Sequence, residues 1–300
     1  MKILHVSGAK GWGGNEQQMI DLLPELNKLN EVENLIIGIN NSVLQEKAND
    51  IGLEFISISD KKLKGLRAYR AFSKLIKTLK PDIIHLHTSD SLTFFVITDL
   101  LYGIDSKAVF SKKGMGSSSS FFSSLKYRYK KISKIICVSQ AVKKSFQEKF
   151  KNENLVVIYD GVNSERVNRI YQVNNLREQY NLDDRILIGN IANHVPAKDL
   201  ITLIKTINVV VKKLKFTNFH LIQIGEFNDK VTPQILNLIK ELDLEDYITL
   251  TNFKDNAVKY LEQFDIYIMS SQREGLPLTI YEAFAKKSLL LVLRQEVYQK

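Results

Sequence analysis

Ile266-Tyr-Ile-Met269, followed by Ser271-Gln-Arg-Glu274-Gly275-Leu276-Pro277-Leu-Thr-Ile-Tyr-Glu282-Ala-Phe-Ala-Lys-Lys287, reads as a strand, a turn and a helix, and this junction decides the fold. The short apolar run suits a buried strand, and Pro277 suits a first helical position, where a missing N–H costs nothing. Such a junction puts its turn at the carboxyl end of a strand. There, open α/β sheets collect ligands and helix N-termini offer unpaired N–H groups to anions. The helix dipole accounts for Glu274 at most, because Glu282 lies about two turns along the helix, beyond the first turn where that effect fades. Carboxylates accept two hydrogen bonds each and so suit sugar diols. Solvated helix-end charges are the plainer reading of this segment taken alone.

Upstream, the same strand-turn-helix rhythm repeats. Strands are expected at 2–6, 34–39, 54–58, 82–87, 108–111, 134–139 and 155–159, and again at 186–192, 220–225, 248–252 and 266–269. Apolar residues at three-and-four spacing predict helices over 14–29, 67–79, 92–101, 124–131, 141–150, 200–214, 233–242 and 257–264. Alternation of this kind implies α/β architecture with doubly wound parallel sheets. Periodicity fades between Gly161 and Asp184, which places a boundary between domains 1–175 and 176–300. The run from Gly114 to Ser124 is Gly/Ser-rich and uncharged and reads as a loop.

With 300 residues and 44% hydrophobic composition, the chain can bury two cores. A single cysteine, Cys137, sits in an apolar run and reads as a core residue, which excludes an intramolecular disulfide framework. The net charge of +9 comes with no nucleic-acid module signature. A solvated basic surface is therefore the default, with peripheral association at the cytoplasmic membrane face as the sharper option. No leader and no membrane-spanning run are visible, so the expected location is the cytoplasm.

Two further turns and a histidine pair stand out. Gly11-Trp12-Gly13-Gly14-Asn15-Glu16 follows the first strand but lacks the spaced dinucleotide fingerprint, and a simple tight turn explains it equally well. His85 and His87 are read as alternating faces of a strand, so that at most one meets a ligand and no metal set forms. In Asn190-Ile-Ala-Asn193-His194-Val-Pro-Ala-Lys198-Asp199, a lysine near a helix N-terminus opposes the dipole, which a bound diphosphate would explain; an ordinary exposed lysine is the alternative.

Taken in order, Met1-Lys-Ile-Leu-His-Val, Gly13-Gly14-x-Glu16, Asp82-Ile-Ile-His-Leu-His87, Ile136-Cys-Val-Ser139, Tyr159-Asp-Gly161-Val-Asn163, Lys198, Gly225, Asp265 and Glu274-x7-Glu282 resemble family 4 retaining glycosyltransferases over residues 1 to 287. The resemblance implies a GT-B fold, with two Rossmann-like domains facing a cleft. It implies a nucleotide-sugar donor held by the second domain and a saccharide or lipid-linked saccharide acceptor held mainly by the first. No metal and no cofactor are implied. Carried over residue by residue, Glu274 would bind the transferred sugar and Lys198 the diphosphate, as the catalytic pair. Glu282 would bind the ribose, with Gly275, Leu276, Pro277, Asn193 and Gly225 around the donor. Gly13, Gly14, Glu16, His87 and Ser139 would form the acceptor and phosphate side. Two departures stand out: Asn193 occupies a position where the family usually carries arginine, and Ser111-Lys112-Lys113-Gly114 replaces a histidine-rich turn. The role of Lys112 and Lys113 stays open.

Beyond Lys287 the residues depart from the family's strand and glycine-rich donor loop. Rereading the codons for Arg294 to Lys300 one frame over permits Thr-Gly-Gly-Val-Pro-Glu, so a frameshift near residues 286–289, with 288–300 foreign to the fold and the second domain incomplete, is the expectation. The function expected is hexosyl transfer in envelope polysaccharide or lipopolysaccharide synthesis. The alternatives are a GT-B sugar-nucleotide epimerase and an inactive truncated fragment.

Overall fold

The computed structural model describes residues 1–115, 125–150, 154–169, 172–182, 184–286 and 289–292. They form two compact units, Met1–Gly161 and Val162–Lys300.

The first unit is built on seven parallel strands: β1 (Lys2–Val6), β2 (Glu33–Ile39), β3 (Phe55–Ser59), β4 (Ile83–Leu86), β5 (Lys107–Lys112), β6 (Ile132–Cys137) and β7 (Leu155–Val157). Their order is β3-β2-β1-β4-β5-β6-β7. Helices α1 (Gly14–Asn27), α2 (Val43–Asp50), α3 (Leu66–Leu79), α4 (Ser89–Tyr102) and α5 (Gln140–Phe150) connect them. Strand β2 is buried along all but its first residue, as parallel strands covered on both faces must be. Helix α3 buries Ala68, Phe72 and Ile76 against the sheet and turns Arg67, Arg70, Lys74 and Lys77 outward. Helix α2, missed in the sequence for its weak apolar pattern, is started by Ser42, whose hydroxyl accepts from the Gln45 N–H. Strand order grows outward from β1 through β2 to β3 and then jumps to β4 on the other flank of β1. That reversal is a topological switch point, and the loops after β1 and β4 diverge around it.

The second unit repeats the plan with five parallel strands in the order β10-β9-β8-β11-β12. These are β8 (Ile186–Ile191), β9 (Phe219–Ile224), β10 (Ile248–Leu250), β11 (Ile266–Met269) and β12 (Leu289–Val292). Its switch point lies between β8 and β11. Short helices α6 (Ser164–Asn168) and α7 (Leu176–Tyr180) precede β8, and α8 (Leu200–Asn208), α9 (Thr232–Glu241) and α10 (Leu278–Ala285) follow in order. One apolar cluster joins Val167, Leu176, Leu187, Ile222, Tyr267 and Ala283, and a second joins Leu200, Leu203, Phe219, Leu221, Ile235 and Ile248.

Several expectations shift. Residues 162–169 and 172–175, placed with the first domain because their pattern is polar, belong by packing to the second: Val167 is fully buried in its core, and Leu176 is too. Asn163 and Asn175 cap α6 and α7, which is why a polar stretch folds here. The helix expected over 200–214 leaves α geometry at Val209 and winds as a π-helix to Lys213; 257–264 is 3₁₀-helical over Ala257–Gln263. Residues 289–292, expected to be foreign to the fold, pair in parallel register with β11, Ile266 beside Leu289 through Met269 beside Val292. Residues 293–300, and 116–124 of the Gly/Ser-rich loop, lie outside the described residues. Among the described residues, no helix is long and apolar enough to cross a membrane.

Candidate functional site

At the second unit's switch point, two loops meet. From β8 the chain passes Ala192, Asn193 and His194 into a 3₁₀ turn, Pro196–Lys198, and Asp199 in left-handed conformation caps α8 by accepting from the Thr202 N–H. From β11 it passes Ser270 and Ser271, both buried, to Glu274 and Pro277. The loops are stitched together: the Gln272 N–H donates to the Ala197 carbonyl at 2.9 Å, the Ser270 hydroxyl to the Lys198 carbonyl at 2.9 Å, and the Gln272 amide to Asp199 at 3.0 Å. This lacing puts the Lys198 ammonium 2.7 Å from Glu274 Oε1, with side chains 30% and 12% exposed. Pro277 is the residue before the helix rather than its first turn, and α10 opens at Leu278 without a side-chain cap. Glu282, on its buried face, is met by Arg166 Nη2 at 2.7 Å.

Other residues expected at the donor have structural work as well. Gly225 is demanded by close packing, since a Cβ there would stand 1.9 Å from the Ala192 carbonyl oxygen. Asn193 Oδ1 accepts from the Glu226 N–H at 3.0 Å and so ties the β8 and β9 loops. Its neighbour His194 is fully buried between Thr232 and Gln223, at 2.8 and 2.7 Å. The phenol of Tyr267 is fully buried and is pushed well above its ordinary range, chiefly by burial and further by the charges of Glu282 and Glu274. Tyr267 stood in the junction's strand only as part of an apolar run, and Arg166 lay outside the junction altogether, so the sequence marked neither.

The first unit's switch point has different chemistry. The turn after β1 runs through Gly8 to Gly13, and Glu16 in the first turn of α1 is buried, its carboxyl pushed up to about 7 mainly by loss of water and secondarily by Asp90. Ser7 Oγ donates to it at 3.5 Å. Gly13 is in extended conformation, and a Cβ at Gly14 would meet nothing within 4 Å, so neither backbone strain nor packing requires these glycines. Asp90 packs its carboxylate against Gly8, where a Cβ would lie 2.0 Å away. Ser139 caps α5, its hydroxyl accepting from the Val142 N–H at 3.2 Å. The open question of the lysine turn resolves into two contacts. Lys113 forms an ion pair with Asp160 at 2.5 Å, with side chains 13% and 10% exposed, and Lys112 donates to the Gly114 carbonyl.

His85 and His87 do not alternate. Two residues apart on a strand, they share a face, as the period of two dictates, and their rings are 3.9 Å apart. His5 on β1 joins them, and one ring nitrogen from each lies within 4.8 Å of the others, the single such nitrogen-donor grouping among the described residues. Burial holds all three neutral: His5 falls to about 4, and His85 and His87 fall well below their ordinary value. The hydrogen bonds order the protons. Asn34 Nδ2 donates to Asn27 at 2.7 Å, so its Oδ1 accepts from His5 Nε2 at 3.0 Å. His5 Nδ1 then accepts from His87 Nε2 at 2.9 Å, leaving the buried Nδ1 of His87 as a lone pair with no partner. A proton thus already occupies the line between His5 and His87, and an ion held by all three rings would have to displace it.

The family model described as Glycosyltransferase Family 4 matches residues 12–166, and one described as Glycosyl transferases group 1 matches residues 172–295. An uncharacterized glycosyltransferase of Haemophilus influenzae is 30% identical over 152 residues, 51% of this chain and 39% of that protein. A poly(ribitol-phosphate) alpha-N-acetylglucosaminyltransferase of Staphylococcus aureus is 27% identical over 157 residues, 52% of this chain and 29% of that protein. The matches thus span well under two thirds of either relative. Among solved structures, Anabaena HepE in complex with UDP and glucose superposes with a TM-score of 0.80 at 17% identity, over 97% of this chain and 80% of that one. The fold is GT-B, with two parallel-sheet α/β domains.

Proposed function

Because the chain belongs to Glycosyltransferase Family 4, we propose that it transfers a hexosyl group, with retention, from a nucleoside diphosphate sugar to a saccharide or lipid-linked saccharide of the cell envelope. The observation that carries this reading is the lacing of the β8 and β11 loops, which sets Lys198 2.7 Å from Glu274 at a strand-end switch point. In this reading the incoming diphosphate takes the Lys198 ammonium as its counter-charge, and the released Glu274 carboxylate accepts from hydroxyls of the transferred sugar. Lys198 then stabilises the negative charge that grows on the leaving diphosphate as the glycosidic bond breaks, and the acceptor hydroxyl attacks from the same face, passing its proton to the departing diphosphate oxygen. Glu282 takes the ribose. Gly275, Leu276 and Pro277 bring backbone close to the donor, and Gly13 with the open space at Gly14 meets the acceptor side together with Glu16, His87 and Ser139. No divalent ion is needed if Lys198 and backbone N–H groups meet the diphosphate charge. The excess of Lys and Arg over acidic residues, 42 against 33, favours peripheral contact with an anionic membrane face.

The test is a screen of nucleotide sugars for donor hydrolysis and transfer, followed by mass spectrometry and run with and without EDTA. Release of nucleoside diphosphate from one donor class, unchanged by chelation and lost in Lys198→Ala, is expected. A folded protein that turns over no donor, or that interconverts sugar epimers without releasing the diphosphate, overturns the reading.

A further inference from the structure

Glu282 is a carboxylate with a 9% exposed side chain, and a buried carboxylate loses its charge or destabilises the fold unless a cation meets it. The cation comes from an unexpected place. Arg166 lies on α6, a helix of five residues that the sequence did not reveal, and its guanidinium is itself only 16% exposed. Three local features aim it. Asn163 starts the helix, its Oδ1 accepting from the Arg166 N–H at 2.8 Å, and so fixes where α6 begins. Val167, next in sequence, is fully buried in the cluster that contains Ala283, the residue after Glu282. Docking Val167 beside Ala283 therefore brings Arg166 to Glu282, where Nη2 donates to Oε1 at 2.7 Å. A guanidinium does not lose its proton, so the charge opposite Glu282 persists, and the Nη2–Oε1 hydrogen bond holds that carboxylate oxygen in place.

We infer that Arg166 is a positioning residue for the donor: it keeps Glu282 ionised and fixes the carboxylate in the orientation that accepts hydrogen bonds from the ribose hydroxyls of the nucleoside diphosphate. This rests on the transferase reading above, in which Glu282 faces the ribose. It makes the short helix α6 and its cap Asn163 part of the donor site, although neither holds a residue of the Glu-x7-Glu motif.

The experiment compares binding of UDP, GDP, ADP and CDP with their 2′-deoxy forms by calorimetry, in wild type, Arg166→Gln, Arg166→Lys, Glu282→Gln and the Arg166→Gln/Glu282→Gln double variant, with thermal unfolding of each as the check on folding. Wild type is expected to prefer the ribose form of its nucleotide by about tenfold or more, which is roughly 1.4 kcal/mol. Arg166→Gln should shrink that preference to about twofold or less while the 2′-deoxy form binds nearly as before, Arg166→Lys should recover part of it, and the double variant should match Glu282→Gln alone. Full ribose preference in Arg166→Gln, or equal loss for ribose and deoxyribose forms, overturns the role of Arg166. Wild type binding a nucleotide without ribose preference overturns the role of Glu282 and with it this proposal, and leaves the transferase reading standing. Wild type binding none of the four nucleotides defeats the transferase reading itself.

Discussion

The two units place their candidate residues at the same point of the same topology, and then fill that point with opposite chemistry. In the first, β1, the end of β4 and the start of α1 carry a carboxyl whose ionisation is pushed up to about 7 and three imidazoles kept neutral by burial. In the second, the loops after β8 and β11 and the helices α10 and α6 carry full charges, each answered by an opposite one: Lys198 by Glu274, and Glu282 by Arg166. The fold supplies strand ends at a switch point in both cases, and the residues decide what they recognise. Ion pairs with one partly exposed member can exchange a protein partner for a ligand of the same sign, which fits a site for an anionic diphosphate. A neutral, buried hydrogen-bonding network has no charge to exchange, and it fits uncharged hydroxyl groups.

The largest effect expected from that contrast is at the charged site. Lys198→Ala and Glu274→Gln should each lower transfer by about a thousandfold, the scale seen when one preorganised group that meets developing charge is removed. Circular dichroism should show both variants folded, because each leaves its partner reachable by water. The two changes together should cost little more than either alone, since both disable one constellation. Additive losses in the double variant would separate the two residues and break the picture of an exchangeable pair.

A second effect sharpens the contrast between glycines. Gly225→Ala should destabilise the protein by about 3 kcal/mol, because the added methyl meets the Ala192 carbonyl oxygen at 1.9 Å, and backbone cannot move as a side chain can. Gly14→Ala should leave stability within about 1 kcal/mol, since the helix N-terminus gains a better helix former and the new Cβ meets nothing within 4 Å. Any loss of transfer in Gly14→Ala would then report the approach of a ligand rather than strain. Urea titrations of the two variants make the comparison.

How much of this was legible depended on whether a feature is local. Strands β1 to β11 came through with shifts of one or two residues, because buried parallel strands are continuous apolar runs, as in Leu35-Ile-Ile37, whereas β12 was not expected. The Lys198 and Glu274 loops were visible as strand-to-helix junctions. Arg166 was not, because its meaning depends on Val167 docking beside Ala283, more than a hundred residues away in sequence. The histidines were within reach and were misjudged: residues 85 and 87 differ by the strand period, so a shared face follows from arithmetic alone, whereas the addition of His5 needed the β1–β4 register that pairs His5 with His85. The domain boundary was placed too late because polarity was read as linker, when Asn163 and Asn175 are helix caps.

The smallest effect tests the neutral site through pH. Glu16 is 5% exposed and its carboxyl is raised from 4.5 to about 7 by burial. A folded-state value above the unfolded one means that its contribution to stability is fully present below pH 4.5 and is lost as pH rises through 7, because the folded protein must then hold a buried charge that the unfolded chain keeps in water. Glu16→Gln removes the charge and keeps a group that can accept from Ser7. The variant should match wild type near pH 4.5 and exceed it in stability by about 2 to 3 kcal/mol at pH 8, since the shift is worth about 1.4 kcal/mol per pH unit and glutamine restores the hydrogen bonds imperfectly. Trp12, the single tryptophan, lies in the turn that leads to Glu16, so its fluorescence in urea reads the first unit directly. A gain that is the same at both pH values would mean that Glu16 does not change charge in this range, and the neutral character assigned to this switch point would have to rest on the histidines alone.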